Sequence, residues 1–171
     1  MVTTSAPVVR PYRRTSDARA THEVFRSAIL GSAARDYGPE QLEAWAGAPD
    51  IDLAGWDDRR AAADTVVAVV DERVVGFADL QPDGLVDMLF VHPEFSRRGI
   101  ARMLIGVVER TARETGIATL RTYASRTARP AFEQFGFQVV ADRPDNIVGG
   151  MIVPNYEMRC DLGSGGEGGL P

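Results

Sequence analysis

The chain has one cysteine, Cys160, two histidines, His22 and His92, and no apolar run near the roughly 20 residues that span a bilayer. Each shortage excludes something. A single cysteine forms neither an intramolecular disulfide nor a thiolate metal cluster, and it fits a reducing, cytosolic setting. Two histidines give a metal site little support. Residues 1–14 carry neither the apolar segment nor the cleavage pattern of a secretion signal, so a soluble, cytoplasmic protein without a membrane partner is expected. Positive charge is also in deficit. A formal net charge of −5 argues against broad binding to nucleic acid, although Arg97 and Arg98 form a local basic pair.

What is present suits one globular unit. Hydrophobic residues make up 44% and charged residues 25%, which excludes the disordered and fibrous classes. A length of 171 residues suits a single domain with a sizeable core. That domain is expected over 1–162. The glycine-rich tail at 163–171 cannot bury enough surface to order itself.

Val8 to Arg13 reads as a strand, and Thr15-Ser16-Asp17 offers side-chain oxygens to cap a helix carrying Val24, Phe25, Ala28 and Ile29. Gly31 to Tyr37 breaks that pattern. Gly38-Pro39 restarts a helix with proline at its first position, Leu42 and Trp45 facing inward. Ala46 to Asp64 reads as loop, with helical turns between Leu53 and Ala63. The period then changes. Thr65–Val70 and Val74–Leu80 read as a hairpin, Gln81-Pro82-Asp83-Gly84 as a turn and Leu85–Val91 as a third strand of an antiparallel meander. A helix follows with Ile100, Met103, Leu104, Val107 and Val108 on one face. Beyond it come a strand at Ala118–Tyr123, a helix at Thr127–Phe135 stopped by Gly136, a strand at Phe137–Ala141 and a last strand at Met151–Cys160, with Pro154 at an edge or bulge.

The stretch Val91-His-Pro-Glu-Phe-Ser-Arg-Arg-Gly-Ile-Ala101 is the most informative. It joins strand to helix, carries two arginines and ends in glycine at the helix start. Successive N–H groups there turn toward an anion, with the positive end of the helix dipole behind them. Diphosphate is the natural candidate.

These residues resemble the signature of the GCN5-related N-acetyltransferase (GNAT) superfamily, in its small single-domain bacterial type. Arg97-Arg98-Gly99-Ile100-Ala101 matches the later part of the signature, while Ser96 stands where the family has Gln or Arg. A second match runs from Ser125 to Phe137. Ala128, Phe132, Glu133, Gly136 and Phe137 fit the family pattern there, and Ser125 replaces an Asn. The resemblance implies an α/β fold with a mixed, mostly antiparallel central sheet flanked by helices. It also implies transfer of an acetyl group from acetyl-CoA to a primary amine by direct attack.

On that resemblance the pyrophosphate falls to Arg97, Arg98, Gly99, Ile100 and Ala101, with Arg102 beside them. The pantetheine arm pairs along Leu89, Phe90 and Val91, and a backbone N–H near Phe90 or Val91 polarises the thioester carbonyl. Ser125, Ala128 and Phe132 complete the cofactor side. Attack needs a deprotonated amine, hence a base. Asp87 is the first candidate, either facing a cleft or buried and paired, and Asp79 the weaker one. Many family members use a tyrosine as general acid at the place of Phe132. That acid is missing here, and Tyr123, Ser125 and Tyr156 are the substitutes, with Tyr123 put forward as catalytic.

Other residues have plain readings beside functional ones. His92 caps a turn or is exposed, and His22 beside Glu23 is expected to be solvated. Tyr37, Trp45 and Trp56 either wall an amine pocket or, Trp45 especially, belong to the core. Arg126 and Arg129 reach the adenosine 3′-phosphate or form a solvated face. The expected acceptor is a small-molecule amine, and the protein a monomer or homodimer. A protein or peptide acceptor, a non-catalytic acyl-CoA sensor and a toxin-like enzyme acting on aminoacyl-tRNA are the rivals, the last disfavoured by the acidic balance.

Overall fold

Residues 5–163 are described in the computed structural model, and most of the tail assigned to 163–171 lies outside them. Val8–Pro11 (β1), Asp64–Val70 (β2) and Arg73–Leu80 (β3) pair antiparallel in sequence order. The β2–β3 turn is tight because Asp71 and Glu72 both take positive φ, 47° and 66°, as a two-residue hairpin requires. Alternation then sorts the side chains. Val67 and Phe77 point to one face, where Ala18, Val24 and Trp56 cover them. Ala68, Val70, Ala78 and Leu80 point to the other.

That second face packs on a helix spanning Ile100–Glu114. Helices Ala18–Ser27 (α1), Pro39–Ala46 (α2) and Leu53–Ala62 (α3) precede it, so it is α4. Its buried positions Ile100, Leu104, Ile105, Val108 and Ala112 form one stripe at helical spacing. The sheet therefore carries helices on both faces, as expected. α3 is longer than the turn or two read from sequence. Asp52 caps it by accepting the Gly55 N–H at 3.0 Å.

The expected third strand is where sequence and structure part. Leu85–Val91 is two strands in different sheets. Leu85–Val86 (β4) pairs parallel with Thr119–Ser125 (β6), while Leu89–Val91 (β5) pairs antiparallel with β3. Asp87 and Met88 step between them. The first sheet runs β1-β2-β3-β5. The second contains β4, β6, Asn155–Asp161 (β10) and Gln138–Arg143 (β7), in the order β4-β6-β10-β7. A wedge opens between β5 and β6, and it positions the site.

Gly84 holds the turn that delivers β4 to β6. Its φ is +87°, and a Cβ there would stand 2.4 Å from the Thr119 carbonyl oxygen. Only glycine fits both demands.

Smaller differences have local causes. The first helix does not stop at Gly31 but widens into a π-turn over Ala28–Ser32, followed by a 3₁₀ turn at Ala33–Arg35. Asp17 does not cap α1 with its side chain; it accepts from the Arg10 guanidinium at 2.7 and 2.9 Å and from the Arg13 N–H. The helix at Arg129–Gln134 (α5) is shorter than predicted. The last strand is cut at Pro154: Met151–Ile152 (β9) turns back on Ile147–Val148 (β8), and β10 starts at Asn155. No helix of the described residues is long and apolar enough to cross a membrane.

Candidate active site

Asp79 builds the wedge. It lies on β3 with 0% exposure, and its Oδ1 accepts two backbone N–H groups, those of Asp87 and Met88, each at 3.0 Å. These are the donors stranded where the chain leaves one sheet for the other. Its own N–H donates to the Met88 carbonyl at 3.0 Å. On its other side Asp79 Oδ2 faces Arg60 Nη1 at 3.3 Å, and Arg60 is itself buried, stacked 4.9 Å over the Trp56 ring. Burial pushes the Asp79 carboxyl up to about 6, against the attraction of Arg60 and the two N–H donors. Asp79 thus holds the strand in place and is no cleft-facing base.

The ladder also orients the backbone N–H groups near Phe90 and Val91. Asp79 N–H bonds to Met88 O and His92 N–H to Val75 O, so alternation puts Phe90 in the bonded pairing with Phe77. Leu89 and Val91 then turn their N–H and C=O groups away from β3, toward the wedge. The expected donor near Phe90 or Val91 narrows to Val91, with Leu89 beside it.

One side of the wedge is a cavity of about 570 Å³. Its lining includes Leu89, Phe90, Val91, Arg97, Gly99, Ile100, Ala101, Arg102, Ser125, Ala128 and Phe132. Arg98 is the one predicted cofactor residue outside it, lying 5.0 Å over the Phe95 ring. The loop has the geometry of an anion cradle. Arg97 takes φ +60° and Gly99 φ +76°, and the first α4 bond runs from Met103 N–H to Gly99 O. The N–H groups from Arg97 to Arg102 therefore lie outside the helix's own ladder. Sequence reasoning missed Ile29, Ser32 and Arg35, which the π-turn and 3₁₀ turn bring to this cavity. The break seen at Gly31 was the available signal. Phe132 is 3% exposed and packs edge-on against Phe137.

The other side is a cavity of about 360 Å³ lined by Asp87, Met88, Tyr123, Arg143, Asn146, Asn155 and the aromatic residues Phe25, Tyr37, Trp45 and Phe90. Trp45, Phe90 and Ser125 line both cavities. The two spaces share these walls at the wedge. Asp87 is exposed to this cavity, and no described residue makes a side-chain hydrogen bond or ion pair with it. Tyr123 is 41% exposed, its ring under the Arg143 guanidinium at 4.3 Å. Ser125 Oγ accepts the Ala128 N–H at 3.0 Å, which leaves its hydroxyl proton to donate. Tyr37 clasps the far wall: its hydroxyl donates to Pro154 O at 2.6 Å and accepts the Arg126 N–H at 2.8 Å. Trp45 is half-buried: it packs against the core cluster that includes Ile29 and Tyr37 and also lines both cavities.

Several candidates sit elsewhere. Trp56 is a core residue whose Nε1 donates to Thr21 Oγ1 at 3.0 Å. His22 is not solvated but 6% exposed, edge-on to Trp56 at 5.1 Å, and burial lowers its pKa. His92 Nδ1 accepts the Glu94 N–H, capping the 3₁₀ turn at Pro93–Phe95. Arg126 lies over Tyr37 at 5.8 Å, and Arg129 lies over Tyr156 at 4.6 Å and pairs with Glu133, so neither lines the larger cavity. A separate concavity of about 520 Å³, lined by Tyr12, Arg60, Thr65 and Thr111 among others, includes no residue of the wedge.

A strand split between two sheets, an anion cradle at the following helix and a second cavity across the split are the features of an acyltransferase fold. The family model for the acetyltransferase (GNAT) domain matches residues 33–160, and the chain belongs to that family as an N-acetyltransferase. It is 35% identical over 136 residues to the uncharacterized N-acetyltransferase YafP of Escherichia coli (strain K12), covering 80% of this chain and 84% of that one. The crystal structure of a GCN5-related N-acetyltransferase from Rhodopseudomonas palustris matches with a TM-score of 0.86 at 32% identity, over 94% of this chain and 99% of that one. The PaiA N-acetyltransferase of Thermoplasma acidophilum, in complex with coenzyme A, shares the fold at 20% identity with a TM-score of 0.73, over 92% of this chain and 99% of that one.

Proposed function

We propose that the protein transfers the acetyl group of acetyl-CoA to a primary amine on a small molecule, by direct attack within the wedge. The observation that carries this reading is that the two cavities share Trp45, Phe90 and Ser125 as wall residues. The pyrophosphate lies on the N–H groups of Arg97 to Ala101, with Arg97 and Arg102 adding charge. The pantetheine arm pairs with Leu89 and Val91, and the Val91 N–H polarises the thioester carbonyl. The acceptor enters from the opposite cavity.

Asp87 acts as the base, directly or through one water. Its carboxylate lines the acceptor cavity next to the wedge and has no described protein partner to occupy it. Ser125 is better placed than Tyr123 to protonate the departing thiolate, because it lines both cavities while Tyr123 lines only the acceptor side. A half-open cavity of about 360 Å³, a volume suited to a small molecule, favours a small acceptor over a protein segment.

The test is release of free thiol from acetyl-CoA with a panel of amines. Asp87→Asn is expected to lower kcat by about 10²-fold or more, with the KM for acetyl-CoA nearly constant. An unaltered rate removes Asp87 from the mechanism. A second reading, a sensor without catalysis, is favoured by Phe132 in the place of the family's common tyrosine. It wins if no amine raises thiol release above hydrolysis while acetyl-CoA still protects the protein thermally. The sequence contains no lysine, so side-chain autoacetylation on lysine cannot obscure a trial with protein acceptors.

A further inference from the structure

We propose that the acceptor is an amino-carboxylic acid of amino-acid size, its amine toward Asp87 and its carboxylate on the Arg143 guanidinium. This rests on the reading of the smaller cavity as the acceptor site. The observation is a half-buried cation with no counter-ion. Arg143 lines that cavity, lies 4.3 Å over the Tyr123 ring, and donates from Nη1 to Asn155 Oδ1 at 3.3 Å. Among the described residues, no carboxylate oxygen comes within 4.0 Å of its guanidinium. Asp142 and Asp145 are near in sequence, and Glu157 stands opposite Tyr123 in register. None of them pairs with it.

Strand register fixes this arginine. Arg143, Asn155 and Ser125 stand opposite one another across β7, β10 and β6, so the guanidinium, the amide and the wedge lie along one row. A guanidinium has five N–H donors, and Asn155 takes one of them. Stacking on Tyr123 sets the plane of the rest, which suits the paired oxygens of a carboxylate. Asp87 supplies the opposite charge in the same cavity, and the two form no ion pair with each other. Phe25, Trp45, Met88 and Val153 provide apolar wall for the body of the molecule. A zwitterion with an apolar side chain matches all three features. A simple alkylamine leaves the arginine without a partner.

The reaction balances without another reagent. The ammonium group gives one proton to Asp87 and its nitrogen attacks the thioester carbon. The C–N bond forms, the C–S bond breaks, and the second nitrogen proton ends on the coenzyme A sulfur. Asp87 returns its proton to water, and an N-acetyl amino acid leaves.

The experiment compares phenylalanine, phenylalanine amide and 2-phenylethylamine, both in thiol release and in binding to the coenzyme A-bound protein by calorimetry. The wild type is expected to favour phenylalanine over the other two by about tenfold or more, the effect of one charge-assisted contact. Arg143→Ala should bring that preference close to one, and Arg143→Lys should keep part of it. Equal use or equal binding of the three in wild type overturns the proposal, as does a preference that survives Arg143→Ala. If no compound promotes thiol release but binding still depends on the carboxylate and on Arg143, the acceptor class stands and the catalytic reading falls.

Discussion

Replacing Asp79 by asparagine keeps an oxygen able to accept the Asp87 and Met88 N–H groups but removes the charge facing Arg60. Wild-type Asp79 titrates at about 6 in the fold, against 3.8 ordinarily, because burial outweighs the attraction of Arg60. Between those values the folded chain holds a proton that the unfolded chain has released. Stability from this group is therefore complete below the unfolded value and is lost as pH rises through about 6. A gap of about two units at about 1.4 kcal/mol each makes the full change about 3 kcal/mol. Urea unfolding from pH 4.5 to 8 captures about 2 kcal/mol of it. Asparagine does not titrate, so the wild-type minus Asp79→Asn difference isolates the group. It is expected to fall by that amount as pH rises and to level off above pH 7. In Arg60→Met the fall should move to higher pH, since the opposing cation is gone. A wild-type minus Asp79→Asn difference that grows with pH refutes the reasoning: Arg60 then holds the carboxyl below its ordinary value.

Two substitutions test the backbone that frames the site. Gly84→Ala combines a positive φ of +87° with a Cβ 2.4 Å from the Thr119 oxygen. It should destabilise by about 2–3 kcal/mol and lower Tm by roughly 4–10 °C, read by calorimetry; an unchanged Tm contradicts the close approach. At Gly99 no neighbour lies within 4 Å of a built Cβ, so Gly99→Ala meets only the strain of φ +76°. Its expected effect is a loss of about 1 kcal/mol in stability and a several-fold rise in the KM for acetyl-CoA, with kcat little altered.

The donor side was legible because its chemistry is local. Strand, cradle and helix start lie within Val91 to Arg102, and a short pattern carries them all. The proposed acceptor side has no such compactness. Asp87, Tyr123, Arg143 and Asn155 come from four segments and meet only through the β4–β6–β10–β7 register. No pattern in the chain announces that register. Hydrophobic periodicity was equally blind to the split strand, since Leu85–Val91 is apolar on both sides of Asp87 while its pairing partner changes. His22 shows the same limit. Its neighbour Glu23 suggested solvent, but its place on α1, one turn after Ala18, turns it onto Trp56.

A strand that leaves one sheet for another leaves its linking N–H groups without ladder partners, and buried donors without acceptors are costly. Here those donors belong to Asp87 and Met88, at the mouth of the wedge that the proposed reaction uses. One oxygen of Asp79 serves both. An apolar residue at 79 would leave them unpaired; a neutral amide would bond them but strand Arg60. A carboxylate in this position burdens the fold, as its raised titration shows. The burden and the cleft have one origin. A residue that made β3 more stable by being apolar would also remove the only side-chain acceptor the described structure gives these two N–H groups, and β4 and β5 would lose the clamp that keeps them apart.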